Sequence, residues 1–340
     1  CPPLGRTGST AGMSPAFRSL GGDLIPEVSV VVATYQRAKL LPRLFAALEA
    51  QTIGPDRFEA IFVDDGSTDG TPETLGRLKA STPLSVEILG DGVNRHQGPA
   101  RNLGWSRSRA PIVAFTDDDC VPVPDWLERG LAAMGTGRRV VVGRTEPDPA
   151  QAHLQGPFSR SISVLDATYF ETCNIFYRKT DLEAAGGFDE AFRSHGGEDT
   201  DLGWRIRKRG SEAVFAPDVL VHHDVKPSSV RAAAREALRW TGIPRVVRLH
   251  PEGRRLLYGG LFWKPSHPLA LGALAGILLA PRSRLALALA LPWVWHRIVS
   301  RPLTPGPRRR LLVLPGALIV DLAEVAAMVR GSISSRTIVL

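Results

Sequence analysis

The sequence predicts an α/β fold built on an open, mostly parallel β-sheet. Short β-branched runs alternate with segments whose apolar residues recur at helical spacing, and acidic clusters follow two of the runs. Such alternation is typical of βαβ units, in which successive strands run parallel. Apolar residues make up 44% of the 340 positions, which supplies enough material for a sizeable core.

The elements follow one another along the first two-thirds of the chain. Residues 28–33 form a continuous β-branched run, which predicts a strand buried on both faces of the sheet. Further strands are predicted at 59–63, 85–89, 111–116, 140–143, 172–178 and 214–223. Helices are predicted at 39–51, 71–80, 98–107 and 199–209.

Acidic residues follow two of the predicted strands. Asp64 and Asp65 end one strand, and Asp117, Asp118 and Asp119 end another. Ligands of open α/β sheets bind at the carboxyl ends of the strands, so both clusters are expected at a binding edge. Three adjacent carboxylates repel one another, and Mn²⁺ or Mg²⁺ would relieve that repulsion. A solvated acidic turn is the alternative for the triplet taken alone.

Five motifs occur in a particular order along the chain. They are Val-Val-Ala-Thr-Tyr at 31–35, Val-Asp-Asp-Gly-Ser-Thr-Asp at 63–69, Gly-Pro-Ala-Arg-Asn at 98–102, Phe-Thr-Asp-Asp-Asp at 115–119 and Gly-Gly-Glu-Asp-Thr-Asp-Leu-Gly-Trp-Arg at 196–205. Over roughly residues 28–225 this set closely resembles the family-2 glycosyltransferases of the GT-A fold. Each motif is weak alone, and the order and spacing make the set specific.

The resemblance implies a donor side and a metal site. The donor is expected to be a nucleoside-diphosphate sugar that contacts the ends of the first strands, the D-x-D segment and a nearby arginine. The residues expected to bind it are Thr34, Asp64, Asp65, Arg101, Asp117 and Asp118. The divalent cation, Mn²⁺ or Mg²⁺, is expected on Asp117, Asp119 and His222. A solvated helix arginine is the alternative for Arg101, and a structural histidine is the alternative for His222.

The resemblance also implies an acceptor side. Asp199 is expected to act as the general base, with Glu198 orienting the acceptor or the donor. Asp199, Thr200 and Asp201 would also suit a helix N-terminus, and both interpretations can hold together. Asn174, Trp126 and Trp204 are expected near the acceptor, with burial in the core as the alternative for the two tryptophans.

The composition changes from about residue 254. Apolar runs at 269–280 and 285–295 fall short of the about 20 residues that a bilayer span needs, and arginines flank the second run on both sides. This pattern favours an interfacial or re-entrant hairpin over clean spans, and a buried helical subdomain is the alternative. The run at 311–329 is mostly apolar but carries Asp321 and Glu324.

These observations predict three regions: a flexible segment at 1–26, a glycosyltransferase domain at 27–250 and a helical, membrane-associated region at 251–340. The predicted reaction is inverting, metal-dependent transfer of a sugar to a hydroxyl of a lipid-linked or cell-envelope glycan. The alternative is a non-catalytic sugar-nucleotide-binding protein on the same fold. The formal charge of +8 suits a phosphate-rich donor and an anionic membrane, and no nucleic-acid partner is expected. The predicted location is the cytoplasmic face of the cell membrane.

Overall fold

The structure, a computed structural model, describes residues 25–137, 139–193, 196–300 and 307–340. The segment expected to be flexible, 1–26, lies outside the described residues except for its last two positions. One eight-stranded sheet has the order β3-β2-β1-β4-β7-β6-β8-β5. Its strands are β1 (Val28–Thr34), β2 (Phe58–Asp64), β3 (Ser85–Leu89), β4 (Ile112–Thr116), β5 (Cys120–Pro122), β6 (Arg139–Pro147), β7 (Asn174–Arg178) and β8 (Glu212–His223).

The first half of the sheet is parallel, as the alternation predicts. Strand β1 lies between β2 and β4 and pairs parallel with both, and β3 extends the sheet beyond β2. The side chains of β1 are almost all buried because the strand is central and covered on both faces. The register places Thr34 opposite Asp64. The carboxyl ends of β1 and β2 therefore meet at one edge.

Helices cover this sheet and continue into the C-terminal region. The N-terminal two-thirds of the chain carries α1 (Leu41–Glu49), α2 (Thr71–Ser81), α3 (Gln97–Arg107), α4 (Trp126–Met134), α5 (Lys179–Ala185) and α6 (Glu198–Lys208). The C-terminal part carries α7 (Val230–Ala237), α8 (Ile243–Leu249), α9 (Ser266–Leu279), α10 (Leu291–Trp295) and α11 (Pro307–Ser335). Helix α3 packs closely on the sheet, since a Cβ at Gly104 would lie 2.4 Å from Val31 Cγ1. This contact fixes the helix that supplies Arg101.

The second half of the sheet is mixed. Strand β7 is antiparallel to β4 and to β6, while β6 and β8 run parallel. Strand β5 was not predicted, because three residues that end in a proline carry no periodic pattern. It pairs antiparallel with the end of β8, with Cys120 opposite His223. This pairing brings the segment after β4 against the end of β8.

The C-terminal region is helical, as predicted. The apolar run at 285–295 is not one helix, since a 3₁₀ segment, Arg284–Ala290, precedes the short α10. Asp321 on α11 is fully buried and accepts hydrogen bonds from Trp293 Nε1 (2.8 Å) and from the guanidinium of Arg297. Among the described residues, one helical stretch, Leu311–Ser335, is long and apolar enough to cross a bilayer, with a mean hydropathy of 2.0.

Candidate active site

The three carboxylates that follow β4 differ in their nearest partners, although Arg37 Nη2 also lies 3.6 Å from Asp119 Oδ2. Arg101 Nη2 donates to Asp117 Oδ1 at 2.9 Å, and Arg37 Nε donates to Asp118 Oδ1 at 3.0 Å. The imidazole Nε2 of His223 lies 3.4 Å from Asp119 Oδ1. The division of roles within the triplet, which the sequence left open, therefore has a geometric basis.

Asp118 is the buried member of the triplet. Burial raises the pKa of its carboxyl to about 7, with the charge of Asp119 adding to the rise and Arg37 opposing it. The amide N–H of Tyr35 also donates to Asp118 Oδ2 at 3.4 Å. Asp118 thus ties the end of β4 to the loop after β1, while its two neighbours face more open space.

The histidine that lies beside the triplet is His223, which corrects the expectation for His222. Successive side chains of a strand point to opposite faces, and the β5–β8 pairing turns His223 toward Asp119. Oxygen, sulfur and nitrogen atoms of Asp119, Cys120 and His223 all lie within 4.8 Å of one another. The Nδ1 of His222 is buried without a hydrogen-bond partner among the described residues.

The expected nucleotide side lies at the edge formed by β1 and β2. Thr34 is buried, and Asp64 Oδ1 accepts a hydrogen bond from the Ser67 amide at 3.2 Å. Asp65 Oδ1 accepts one from the Arg95 amide at 2.7 Å, and burial raises the pKa of this carboxyl. Asp65 therefore anchors the segment that leads into α3.

Helix α6 begins with the predicted acceptor-side pair, and the structure separates the two carboxylates. The Glu198 side chain is 3% exposed, lies against the Gln97 amide and contacts Arg101 Nη1 at 3.3 Å. Burial, followed by the charge of Asp199, raises the pKa of Glu198 to about 8. The Asp199 side chain is 21% exposed, and its Oδ2 accepts from the Thr172 amide (3.1 Å) and hydroxyl (3.0 Å). Asp199 is therefore the member of the pair that a substrate can reach.

Arg101 joins the two sides of the site. Its buried guanidinium contacts Asp117 at 2.9 Å and both Glu198 and Asp199 at 3.3 Å. Burial disfavours the charged guanidinium and lowers the pKa of Arg101. The three carboxylates outweigh this effect, so the pKa of Arg101 is raised. The alternative of a solvated helix arginine is therefore wrong.

Three residues expected near the acceptor lie in the core instead. Trp126 is fully buried and donates from Nε1 to Asn174 Oδ1 at 2.8 Å, and Asn174 Nδ2 donates to the backbone carbonyls of Arg144 and Val219. Trp204 is buried on α6, with its ring near Gly253. All three lack the exposed surface that stacking or hydrogen bonding to a sugar would need.

Other residues of the site were missed. Arg37, Gln97 and Thr172 contact the predicted carboxylates, but each is a single polar residue outside the predicted motifs. Arg37 and Thr172 lie in connecting segments, and Gln97 is the first residue of α3. For Arg37 the position just after a predicted strand end was an available signal. No sequence pattern marks Thr172, whose role depends on a contact with a residue 27 positions away.

Comparison with known proteins identifies the family. The profile of glycosyl transferase family 2 matches residues 29–184, and that of glycosyl transferase family group 2 matches residues 112–299. The chain belongs to glycosyltransferase family 2. The fold and the enzyme class predicted from the motifs are thereby confirmed.

Two relatives that are named as glycosyltransferases match much of the chain. Glycosyltransferase AglE of Haloferax volcanii is 32% identical over 60% of this chain and 68% of its own length. Validoxylamine A glucosyltransferase of Streptomyces hygroscopicus subsp. limoneus is 28% identical over 70% of this chain and 59% of its own length. The chain thus spans about three-fifths to two-thirds of these relatives.

The fold is also found in solved structures. The mannosyltransferase PcManGT of Pyrobaculum calidifontis, in complex with GDP-Man and Mn²⁺, superposes over 94% of this chain and 90% of that one. The TM-score is 0.57 at 21% sequence identity, which shows a shared GT-A fold.

We predict that Glu198 makes the stability of this glycosyltransferase depend on pH. Its folded pKa of about 8 lies above the usual 4.5, so its contribution is complete below pH 4.5 and is lost as pH rises through 8. One unit of pKa corresponds to about 1.4 kcal/mol, so the effect is measurable. Urea unfolding in EDTA at several pH values should show a shallower decline for Glu198→Gln than for the wild type.

Glu183→Gln, a substitution at an exposed position on α5, is the control and should keep the wild-type slope. Identical slopes for Glu198→Gln and the wild type would contradict the prediction.

Proposed function

We propose that the chain catalyses inverting, metal-dependent transfer of a sugar from a nucleoside-diphosphate sugar to a hydroxyl acceptor. The observation that carries the proposal is the partly exposed Asp199 carboxylate, held by Thr172 and by the Arg101 that also holds Asp117. Asp199, the candidate base, and Asp117, the donor-side carboxylate, both contact the Arg101 guanidinium, which keeps them near each other. The acceptor is proposed to be a lipid-linked or cell-envelope glycan.

The donor is proposed to bind along the edge formed by β1, β2 and β4. Thr34, Asp64 and Asp65 lie at that edge, and Asp117 follows β4. Solved relatives of the same fold carry GDP-Man with Mn²⁺ in one case and UDP-GlcNAc in another, which supports a sugar nucleotide as the donor class. Arg101 would act here indirectly, by orienting Asp117, since three carboxylates already engage its guanidinium.

The residues around Asp119 fit a divalent cation. Asp119 supplies a carboxylate, which suits Mn²⁺ and Mg²⁺, and His223 supplies an imidazole nitrogen, which favours the transition ion Mn²⁺ over Mg²⁺. Burial raises the pKa of the Cys120 thiol well above its usual value, so that we propose Asp119 and His223, rather than Cys120, as ligands. A bound cation would stabilise the negative charge on the departing diphosphate.

The proposed chemistry at the acceptor is general-base catalysis. A sugar hydroxyl is a poor nucleophile near neutral pH, so its proton must leave as its oxygen attacks the anomeric carbon. Asp199 Oδ1 and Oδ2 are oriented by Arg101 and Thr172, so the carboxylate is held ready to accept that proton. Attack from the face opposite the diphosphate inverts the anomeric configuration. Glu198, whose raised pKa favours the protonated form, would keep Gln97 and Arg101 in place.

We predict that nucleotide binding depends on the cation at Asp119. Asp119→Asn keeps the shape of the side chain but removes a negative charge, so it should weaken the effect of Mn²⁺ on affinity for a nucleoside diphosphate. Calorimetry with UDP and GDP, with Mn²⁺ or with EDTA, measures this. His222→Asn is the matched control and should behave as the wild type, whereas His223→Asn should resemble Asp119→Asn. Equal affinity of the wild type for UDP or GDP in Mn²⁺ and in EDTA would count against a metal site at Asp119.

We predict that Asp199→Asn abolishes turnover and spares donor binding. A positioned general base supplies about 10²–10⁴-fold, and asparagine cannot accept the proton. If Asp199 served only the helix N-terminus, asparagine would replace it well. Transfer assays at saturating donor, with calorimetry of nucleotide binding, separate the two roles. Transfer within about twofold of the wild type would return Asp199 to a structural role.

We further propose that the C-terminal region associates with a membrane surface. The 3₁₀ segment and α10 expose large apolar side chains, including Leu285 (86% exposed) and Leu291 (64% exposed). Arg282 and Arg284 are exposed and precede Leu285 in the sequence, and basic residues near an anionic surface contribute about 1 kcal/mol each. Helix α9, with 14 residues, is shorter than a span. This combination supports a shallow hairpin at the lipid interface, with the cytoplasmic face as the proposed side.

We predict that Leu285→Glu/Leu291→Glu lowers binding to vesicles that contain phosphatidylglycerol. The two charges replace apolar contacts in the acyl region, whereas Leu103→Glu, an exposed position on α3, should have little effect. Co-sedimentation with these vesicles, and with vesicles of phosphatidylcholine alone, measures the difference. Wild-type protein that stays in the supernatant with both vesicle types would contradict the proposal.

A further inference from the structure

The loop before β7 is fastened along helix α6 at several points. The Thr200 hydroxyl donates to the carbonyl of Tyr169 at 2.9 Å, and Thr172 donates to Asp199 as described above. Between these points Phe170 has φ of +59°, and its fully buried ring fills the space above Gly203, where a Cβ would lie 2.1 Å from the ring. The orientation of the residues around Phe170 is therefore imposed by α6.

Glu171 is the residue of this loop that the packing leaves unsatisfied. Its Oε2 is buried and has no hydrogen-bond partner among the described residues. A buried polar atom without a partner costs free energy, and in a native structure it points to a partner that binds later or to a functional role. The neighbouring Thr172 holds Asp199, so this unsatisfied oxygen lies on the acceptor side of the site.

The charges around Glu171 are negative. Burial, with the charges of Asp199 and Asp166 acting in the same direction, raises the pKa of its carboxyl to about 7. Burial raises the pKa of Tyr169, and the negative charges of Asp166 and Glu171 act in the same direction. The Tyr169 hydroxyl therefore lies in the same negative electrostatic environment as Glu171. The guanidinium of Arg101, which lies on the other side of Asp199, is engaged by Asp117 and Glu198.

Tyr169 adds an aromatic surface to this group. Its side chain is 42% exposed, although its backbone carbonyl is held by Thr200. An exposed ring with a polar tip, beside a carboxyl that lacks a partner, offers both an apolar face and hydrogen bonding to a polyhydroxylated molecule. The ring, the Glu171 carboxyl and the Asp199 carboxylate all belong to this one loop and the start of α6.

We propose that Glu171 and Tyr169 form an acceptor subsite beside Asp199, and that it selects an accepting unit that is a neutral or amine-bearing polyol rather than one that carries a carboxylate or a phosphate. This inference rests on the proposed function, since it assigns the acceptor side of the same site. A hydroxyl or amine of the acceptor would satisfy Glu171 Oε2. An anionic group at that place would be repelled by Asp166 and Asp199, and Arg101, which contacts Asp199, is already shared with Asp117 and Glu198.

The test uses three acceptor probes with the same alkyl chain. Octyl β-D-glucoside is neutral, octyl 2-amino-2-deoxy-β-D-glucoside carries an amine, and octyl β-D-glucuronide carries a carboxylate. Their affinity for the full chain is measured by saturation-transfer NMR in the presence of UDP or GDP and Mn²⁺, and transfer from the matching nucleotide sugars is followed in parallel. Donor hydrolysis without acceptor is recorded separately, and it reports on the proposed function alone.

We expect the wild type to bind and use the glucoside and the amino sugar at least about tenfold better than the glucuronide. Glu171→Ala should raise the acceptor KM by about tenfold or more, with donor hydrolysis almost unchanged. Glu171→Gln keeps the shape of the side chain and removes its negative charge, so the difference in affinity between the glucoside and the glucuronide should become smaller. Tyr169→Ala should lower the affinity for all three probes to the same extent. Glu183→Gln, an exposed glutamate on α5, is the control.

Three outcomes would overturn the inference while leaving the proposed function intact. One is donor hydrolysis without binding of either uncharged or amine-bearing probe. Another is equal use of the glucuronide and the glucoside by the wild type. The third is an unchanged acceptor KM and an unchanged probe preference in Glu171→Ala and Glu171→Gln. Absence of donor hydrolysis and of nucleotide binding would instead remove the proposed function itself.

Discussion

One buried guanidinium neutralises carboxylates that come from two distant parts of the chain. Arg101 on α3 contacts Asp117, which follows β4, and Glu198 and Asp199, which begin α6. Each of these carboxylates would be costly to bury alone, and one cation cannot balance three anions. The excess negative charge is reduced at the most deeply buried carboxyl, because the pKa of Glu198 rises to about 8 and favours its protonated form. The Asp199 carboxylate is more exposed to solvent. The arrangement thus separates a buried Glu198 with a raised pKa from a more exposed Asp199, the residue proposed as the base.

The position of α6 follows from contacts on both of its sides. Toward the sheet, the loop that carries Phe170 and Thr172 is fastened to it. Toward the C-terminal region, His250 Nε2 lies 2.9 Å from Asp201 Oδ1, and the Trp204 ring packs near Gly253. The segment that follows α8 and leads into the C-terminal region therefore packs on the helix that carries Glu198 and Asp199.

The sequence predicted those features that depend on local pattern. The alternation of β-branched runs and amphipathic segments predicted the parallel half of the sheet, and the order of five motifs predicted the family. The direction in which a side chain points, and whether it is buried, could not be predicted from local pattern. Whether His222 or His223 meets Asp119 depends on the pairing of β5, which is three residues long. The burial of Trp126 and Asn174 depends on packing between β7, β6 and α4. The unsatisfied oxygen of Glu171 is visible only when the whole loop is in place.

The most direct test of this account is a double-mutant cycle between Arg101 and Asp117, measured as free energy of unfolding in urea with EDTA present. Removing one partner of a buried ion pair typically costs about 3–5 kcal/mol, so Arg101→Met should be strongly destabilising. In the Asp117→Asn background the same substitution should cost at least about 1 kcal/mol less, because one of the carboxylates that need the cation is already gone. Equal costs in the two backgrounds would show that Arg101 does not neutralise Asp117, and would contradict the account.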